Sequence, residues 1–354
     1  MRTFISRSFA ILSAACLALS FAVIATRAQS SASDELKVTP TAADHAAAAS
    51  AKKVYQHARP ANNPTGQELR GREIAEHRSM FKGSSAGASG GGIVRYPGDV
   101  TYQGGDVVQF AAFHAVYLLP GSSCPVAVCW GDPEGFLRNL GQSNFIHLAD
   151  QYIRLFGGDR YTVGFHAKVA YTPPNVPLTD LDILSVVHAV ASASGDTGYG
   201  HIYHIFLPPG QDECFDSTFT ECYSPDNFNT FYFCAYHSSV DFSDIGHVLY
   251  TVEPYQNVPG CQVYPGSPNG MLVDSTDTVL NHESFETITD PDGTAWLNST
   301  SNALYGDEIA DECEFVVVIG QNAYFDPPVF KIDGHPYAVQ SIYSNDAHAC
   351  GTAP

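Results

Sequence analysis

The chain has 354 residues, with 37 Asp or Glu against 17 Lys or Arg and a formal net charge of −20 at pH 7. This acidic balance excludes the basic face that nucleic-acid phosphates require, and anionic membrane surfaces would repel it. Beyond residue 28, no apolar run reaches the ~18 residues that a membrane span needs.

The first 28 residues have the pattern of a secretory signal peptide. Arg2 and Arg7 precede an apolar run over residues 9–25, and Thr26-Arg27-Ala28 offers a small-residue cleavage site. We therefore expect a secreted protein, extracellular or periplasmic, with no membrane contact after cleavage.

Residues 29–93 differ in composition from the rest of the chain. They hold eight Lys or Arg against six acids, whereas residues 93–354 hold six Lys or Arg against 31 acids. They end in the Gly- and Ser-rich stretch 84–92, which is typical of a flexible linker. This pattern predicts a low-complexity tail or a weakly basic propeptide over 29–93, with one helix over 68–81, and a main domain over 94–354.

Alternating and helical periodicities predict the elements of the main domain. Helices are expected over 133–156, as two short segments, and over 179–192, with Thr179 as the N-cap. Strands are expected over 108–119, 198–207, 231–237, 247–252 and 315–319. The last run is continuously apolar, which favours a central position. The order predicts an α+β fold in which a mixed β-sheet packs against a helix, as in zincins.

Eight cysteines follow the signal peptide. An even number in a secreted chain predicts disulfides. Their spacings lack the paired C-x-x-C of zinc ribbons, which disfavours a thiolate zinc site. Proximity along the chain favours four pairs, Cys124–Cys129, Cys214–Cys222, Cys234–Cys261 and Cys313–Cys350.

The sequence NHESFET, at residues 281–287, contains the main candidate for a catalytic site. Apolar residues recur around it at helical spacing, with Ser275 or Thr276 as the expected N-cap and Pro291 as the stop. On such a helix His282 and Glu286 leave the same face, since they lie four residues apart.

The pattern H-E-x-x-E is typical of a metal site with a general base. His282 and Glu286 supply two ligands, and Glu283 stands where a zincin keeps its base. A third ligand is needed. Asp292, Glu308 and Asp311 are the candidates, and Glu308 is favoured.

Further residues complete this hypothesis. Asp290 is expected to orient the His282 ring without binding the metal itself. His237 or Tyr305 is expected to stabilise an oxyanion beside the metal. One zinc ion per chain is predicted. The alternative is that His282 and Glu286 are only solvated or hydrogen-bonded on an amphipathic helix.

Calcium is an alternative metal, because acidic loops supply the oxygen ligands that it prefers. The residues named for such a site are Asp226, Asp241 and Asp244.

From Val116 to Cys350 the chain resembles secreted bacterial relatives of the phosphate-induced protein/Exordium family. The resemblance rests on Phe136-Leu137, on residues 145–148, on Cys234-Ala235-Tyr236-His237, and on Thr289-Asp290-Pro291 with residues 308–313. The bacterial relatives carry a similar His-Glu pair and look like zincin-type metallopeptidases. Plant members lack that pair, and for them the resemblance implies an extracellular, growth-linked role.

Two functions are therefore expected. The first is a secreted zinc-dependent metallopeptidase-like hydrolase, a monomer acting on a protein or peptide. The alternative is a non-catalytic extracellular or cell-wall binding protein, with Trp130, Trp296, Tyr203 and Tyr223 as candidate contact residues.

Overall fold

The computed structural model describes residues 35–81, 96–119, 124–171, 177–301, 303–319 and 322–354. The predicted signal peptide and the Gly-rich stretch 84–92 lie outside these residues. The helices are α1 (Ala42–Ser50), α2 (Pro64–Phe81), α3 (Val126–Cys129), α4 (Pro133–Gln142), α5 (Asp150–Ile153), α6 (Asp180–Ser194) and α7 (Met271–Thr289), with 3₁₀ turns at Phe145–Ala149 and Asp311–Cys313.

The strands are β1 (Glu35–Val38), β2 (Lys52–Pro60), β3 (Thr101–Tyr102), β4 (Ala111–Leu119), β5 (Tyr161–Val163), β6 (His166–Ala170), β7 (Leu178–Thr179), β8 (His201–Phe206), β9 (Glu213–Cys214), β10 (Cys222–Tyr223), β11 (Phe233–Phe242), β12 (Gly246–Glu253), β13 (Trp296–Leu297), β14 (Val316–Ile319), β15 (Asn322–Phe325), β16 (Val329–Ile332), β17 (His335–Ala338), β18 (Ile342–Ser344) and β19 (Ala349–Gly351).

An eight-stranded mixed sheet organises these elements. Its order is β1-β6-β4-β8-β12-β11-β2, with β5 also paired to β4. The pairs from β1 to β12 are parallel, whereas β11 runs antiparallel to both β12 and β2. The expected α+β class with a mixed sheet is confirmed.

Both faces of the sheet are covered. Alternate residues of β8 point to opposite faces, so Ile202 and Phe206 join the core with Phe285 of α7, while Tyr203 and Ile205 join the core with Val187 of α6. Helix α6 begins at the expected place, because Thr179 and Asp182 form a capping box.

Helix α7 is buried along nearly its whole length. It begins at Met271, a turn before the expected N-cap Ser275 or Thr276, and it ends at Thr289, before Pro291. Every residue from 274 to 289 is buried, including polar ones. A helix buried all round needs internal partners for its polar side chains.

The N-terminal residues belong to the sheet, which differs from the expected tail over 29–93. Strand β1 forms one edge beside β6, and β2 forms the other edge beside β11. Basic side chains of this segment pair with acids of the rest of the chain, as in Lys53–Asp180 at 2.6 Å and Arg70–Asp307. The change of charge sign therefore reflects complementary surfaces within one fold.

The run 315–319 is not a central strand, which corrects the expectation. Strand β14 pairs with β15 in a two-stranded hairpin, and Val316 and Val318 are 46% and 68% exposed. A continuous apolar run indicates β structure but does not determine which neighbours a strand finds.

The four expected cysteine pairs all lie at disulfide distance, Cys124–Cys129, Cys214–Cys222, Cys234–Cys261 and Cys313–Cys350. Such pairs fit an oxidising, extracellular environment. Among the described residues, no helix has both the length and the apolarity needed to cross a bilayer.

Candidate metal centre

A row of polar residues crosses the sheet beneath α7. Strand register places His57 beside His237, His237 beside Thr251, and Thr251 beside His204. Paired residues of neighbouring strands share a face, so these side chains all lie on the side that α7 covers. The row therefore meets the polar side of the buried helix.

Glu286 lies at the centre of the cluster. Its Oε2 is 3.1 Å from Nε2 of His282 and 3.5 Å from Nδ1 of His237. Its Oε1 accepts a hydrogen bond from the backbone N–H of Asp311 at 3.2 Å. The carboxylate of Asp311 lies 3.6 Å from Nε2 of His282. The helix pair of the H-E-x-x-E pattern thus meets a carboxylate from the segment before β14.

Glu308 lies on the far side of His237. Its Oε1 is 3.7 Å from Nε2 of His237 and accepts a hydrogen bond from the Tyr55 hydroxyl at 2.8 Å. Donor atoms of His237, Glu286 and Glu308 lie within 4.8 Å of one another, as do those of His57, Glu286 and Asp311. The favoured third ligand, Glu308, and the further candidate Asp311 both reach the cluster, and Asp311 is the one in contact with His282.

The donor spacings suit a metal ion. Two ligands placed ~2.0–2.1 Å from a tetrahedral zinc ion are ~3.3 Å apart. The distances of 3.1 and 3.6 Å from His282 to Glu286 and Asp311 lie close to this value. One imidazole and two carboxylates are an accepted zinc set, with further positions left for water.

Unpaired polar atoms are concentrated here. His237, His282, Glu283, Glu286 and Glu308 are fully buried. Their atoms without a hydrogen-bond partner are Nδ1 and Nε2 of His237, Nε2 of His282, both oxygens of Glu283, and Oε2 of Glu286 and of Glu308. Leaving so many buried polar atoms unpaired is costly, whereas a cation would satisfy several at once.

The pKa values of Glu283 and Glu286, two carboxylates on α7, are shifted in opposite directions. Burial, followed by repulsion from Glu253 and Glu286, raises the pKa of Glu283 well above its usual value. Burial and the Asp311 carboxylate also raise the pKa of Glu286, but contacts with His282 and His237 outweigh them and hold it below its usual value. Glu283 therefore has a higher proton affinity than Glu286.

Asp311 and His57 form a buried ion pair. Nε2 of His57 lies 2.9 Å from Oδ2 of Asp311, which also accepts the backbone N–H of Glu308 at 2.9 Å. Burial opposes charge on both groups, but their mutual attraction lowers the pKa of Asp311 and raises that of His57. The pair is thus charged in the folded protein.

Gln340, rather than Asp290, orients His282. Its Oε1 lies 3.3 Å from Nδ1 of His282, while its Nε2 donates to the carbonyl of Ala310. The imidazole must then donate from Nδ1, so in the neutral ring Nε2 is the nitrogen that can bind a metal ion. Asp290, expected in this role, instead accepts the backbone N–H of Ala295 at 2.7 Å, because it caps the turn after α7.

Asp292 does not reach the cluster, which corrects its selection as a candidate ligand. Pro291 turns the chain away from α7, and the Asp292 carboxylate accepts a hydrogen bond from Tyr199 and lies 3.3 Å from Nε2 of His247. Tyr305 is half-buried in the turn preceding Asp307. Its expected role stays a prediction.

The residues named for calcium lie in separate local contacts. Asp241 pairs with His247 at 2.8 Å, and Asp244 pairs with His188 at 3.0 Å. Asp226 lies in the turn after β10. Calcium at this set stays an untested alternative.

Tyr55, His57 and Gln340 are members of the site that the sequence did not identify. Tyr55, His57 and Arg59 alternate along β2, and this period of two was the available signal. It was not used because the surrounding residues have the composition of a tail. Gln340 had no distinguishing pattern.

Comparison of the chain with protein-family models, with curated proteins and with solved structures gave no match. The function is therefore argued from the site.

Proposed function

We propose that the cluster binds one zinc ion through His282, Glu286 and Asp311, and that the protein is a secreted zinc-dependent hydrolase of the metallopeptidase type. The main support is that Nε2 of His282 lies 3.1 Å from a carboxylate oxygen of Glu286 and 3.6 Å from one of Asp311, inside a buried cluster. In this proposal Asp311 replaces Glu308 as the third ligand, because Glu308 faces His237 and Tyr55 instead.

A zinc ion held by His282, Glu286 and Asp311 would lower the pKa of a bound water towards ~7 and would polarise a substrate carbonyl. Glu283 follows the first ligand and has both carboxylate oxygens unpaired. It accepts the proton of the attacking water and passes it to the departing nitrogen of the peptide bond.

His237 lies beside the proposed base and the proposed ligands. Its Nδ1 is 3.5 Å from oxygens of both Glu283 and Glu286. In this position it stabilises negative charge that develops on the substrate carbonyl oxygen. Tyr55 and Glu308 hold the opposite side of the ring.

Two features support the extracellular assignment and the proposed kinship. The four cysteine pairs at disulfide distance fit an oxidising compartment. The motifs shared with secreted relatives of the phosphate-induced protein/Exordium family include His237 and the segment 308–313, which lie in or beside the cluster. Membership of that family remains a proposal.

One observation favours the second candidate, a non-catalytic extracellular or cell-wall binding protein with a structural metal. The cluster is sealed, since His237, His282, Glu283 and Glu286 have no exposed surface. One cavity, of about 370 Å³, borders Tyr55 and His57, and a smaller one borders His57 and the proposed ligand Asp311. A peptide reaches Glu283 only if the elements that cover the cluster move.

Metal content and turnover separate the candidates. After dialysis of the purified mature protein, we expect Glu286→Ala to hold one zinc fewer per chain than the wild type, and Glu68→Ala, an exposed control, to hold as many as the wild type. We expect hydrolysis of an unfolded protein such as casein by the wild type, reduced at least 100-fold in Glu283→Gln. Zinc without turnover would favour the binding protein, and no zinc in any variant would contradict both.

A further inference from the structure

A second histidine cluster lies on the other face of the sheet. Register pairs Ala112 with His201 and His114 with Tyr203, so His114 and His201 are diagonal neighbours on one face. His204, in the row beneath α7, points to the opposite face because side chains alternate along β8. This cluster is therefore separate from the candidate metal centre.

Three donor atoms converge there. Nε2 of His114 lies 3.0 Å from Nδ1 of His201. Oδ2 of Asp196 lies 3.9 Å from the first nitrogen and 3.8 Å from the second. These spacings bracket the ~3.3 Å between two ligands of a tetrahedral zinc ion. The Asp196 carboxylate is therefore too far from the His114 and His201 nitrogens for a hydrogen bond.

A hydrogen bond and close packing fix the orientation of the His114 ring. Nδ1 of His114 lies 3.3 Å from the carbonyl oxygen of Phe165, which can only accept, so Nδ1 carries the proton and Nε2 offers its lone pair. Gly164 makes room for the ring, because a Cβ there would lie 2.3 Å from Cε1 of His114. The imidazole is 2% exposed.

Hydrogen bonds also fix the position of the Asp196 backbone. The Tyr203 hydroxyl donates to the backbone carbonyl of Asp196 at 2.6 Å, and the Asp196 backbone N–H donates to Ser194 at 3.2 Å. These bonds hold the turn after α6 over the two histidines. Side chains of His201 and Asp196 are 27% and 35% exposed, so solvent reaches the cluster from that side.

We propose that His114, His201 and Asp196 bind a second divalent transition-metal ion. Two imidazoles and one carboxylate are a set that zinc and its neighbours accept, with water in the remaining positions. In the metal-free state the two imidazoles share one hydrogen bond, and a metal ion replaces the shared proton. The bound ion joins the turn after α6 to β4 and β8.

Zinc titration by calorimetry tests this site independently of the candidate centre under α7. On the full mature chain we expect His201→Ala to bind one zinc fewer than the wild type, and Asp196→Asn, which preserves shape, to bind at this site at least tenfold more weakly. Glu286→Ala should retain this zinc, and His335→Ala, an exposed histidine on β17, should leave the count unchanged.

The outcomes are distinct for the two sites. Equal zinc counts in wild type, His201→Ala and Asp196→Asn would overturn this inference while leaving the proposed function untouched. An equal loss in His335→Ala would also overturn it, because the binding would then be a general property of surface histidines. A loss confined to His201→Ala and Asp196→Asn would support it, whatever happens at Glu286.

Discussion

His57 joins the N-terminal strand β2 to the candidate metal centre through one buried ion pair. Its Nε2 lies 2.9 Å from Oδ2 of Asp311, and the two side chains are 5% and 6% exposed. Removing one partner of a buried pair leaves the other charge uncompensated, at a cost of ~3–5 kcal/mol. We expect His57→Ala to lower the free energy of unfolding by this amount in metal-free protein.

Urea unfolding at pH 7 with a chelator present, followed by circular dichroism, measures this loss. The matched control is His335→Ala, an exposed histidine that should change stability by no more than ~0.5 kcal/mol. Asp311→Asn should reduce the cost of removing His57, because the uncompensated charge is then absent. A loss below ~1 kcal/mol, or full additivity of the two substitutions, would refute the placement of β2 over the cluster.

Three further predictions follow from particular residues. Burial, with a smaller contribution from His114, lowers the pKa of His204 to about 3, whereas an unfolded histidine titrates near ~6.5. The unfolded state therefore binds more protons between these values, and stability falls as pH drops below ~6.5 by ~1.4 kcal/mol per unit. Between pH 6.5 and 5 the wild type should lose ~2 kcal/mol more than His204→Gln in urea unfolding, and equal losses would contradict the assignment. Gly293 has φ +67°, and a Cβ there would lie 2.2 Å from the Tyr55 ring, whereas Gly266 has φ +103° and open space. Gly293→Ala should therefore lower the melting temperature more than Gly266→Ala, and a larger drop in the latter would count against the packing of Tyr55. Zinc at 100 times the dissociation constant of the centre under α7 should add ~2.7 kcal/mol more to the free energy of unfolding of the wild type than to that of Glu286→Ala.

Local patterns predicted the parts of the fold that depend on neighbours in sequence. Thr179, the expected N-cap, marked the start of α6, and Pro291 marked the end of α7. The cysteine pairs agree with proximity along the chain because each closes a short segment. His282, Glu283 and Glu286 could be placed together for the same reason, since one helix carries all three.

Contacts between distant segments were not predictable in this way. Asp292 and Asp311 were both candidate ligands beside the favoured Glu308, and only Asp311 of these two lies near His282. His57 was missed because charge balance indicated a tail, although its cationic neighbours pair with acids across the fold. The pairing of β14 with β15 shows the same limit, because strand pairing is decided by tertiary packing.

The measurement that tests the central proposal most directly is a crystal structure of the mature protein grown with zinc, with anomalous data collected at the zinc edge. We predict a peak ~2.0–2.2 Å from Nε2 of His282 and from carboxylate oxygens of Glu286 and Asp311. A zinc-bound crystal with no peak among these three side chains would contradict the proposed centre.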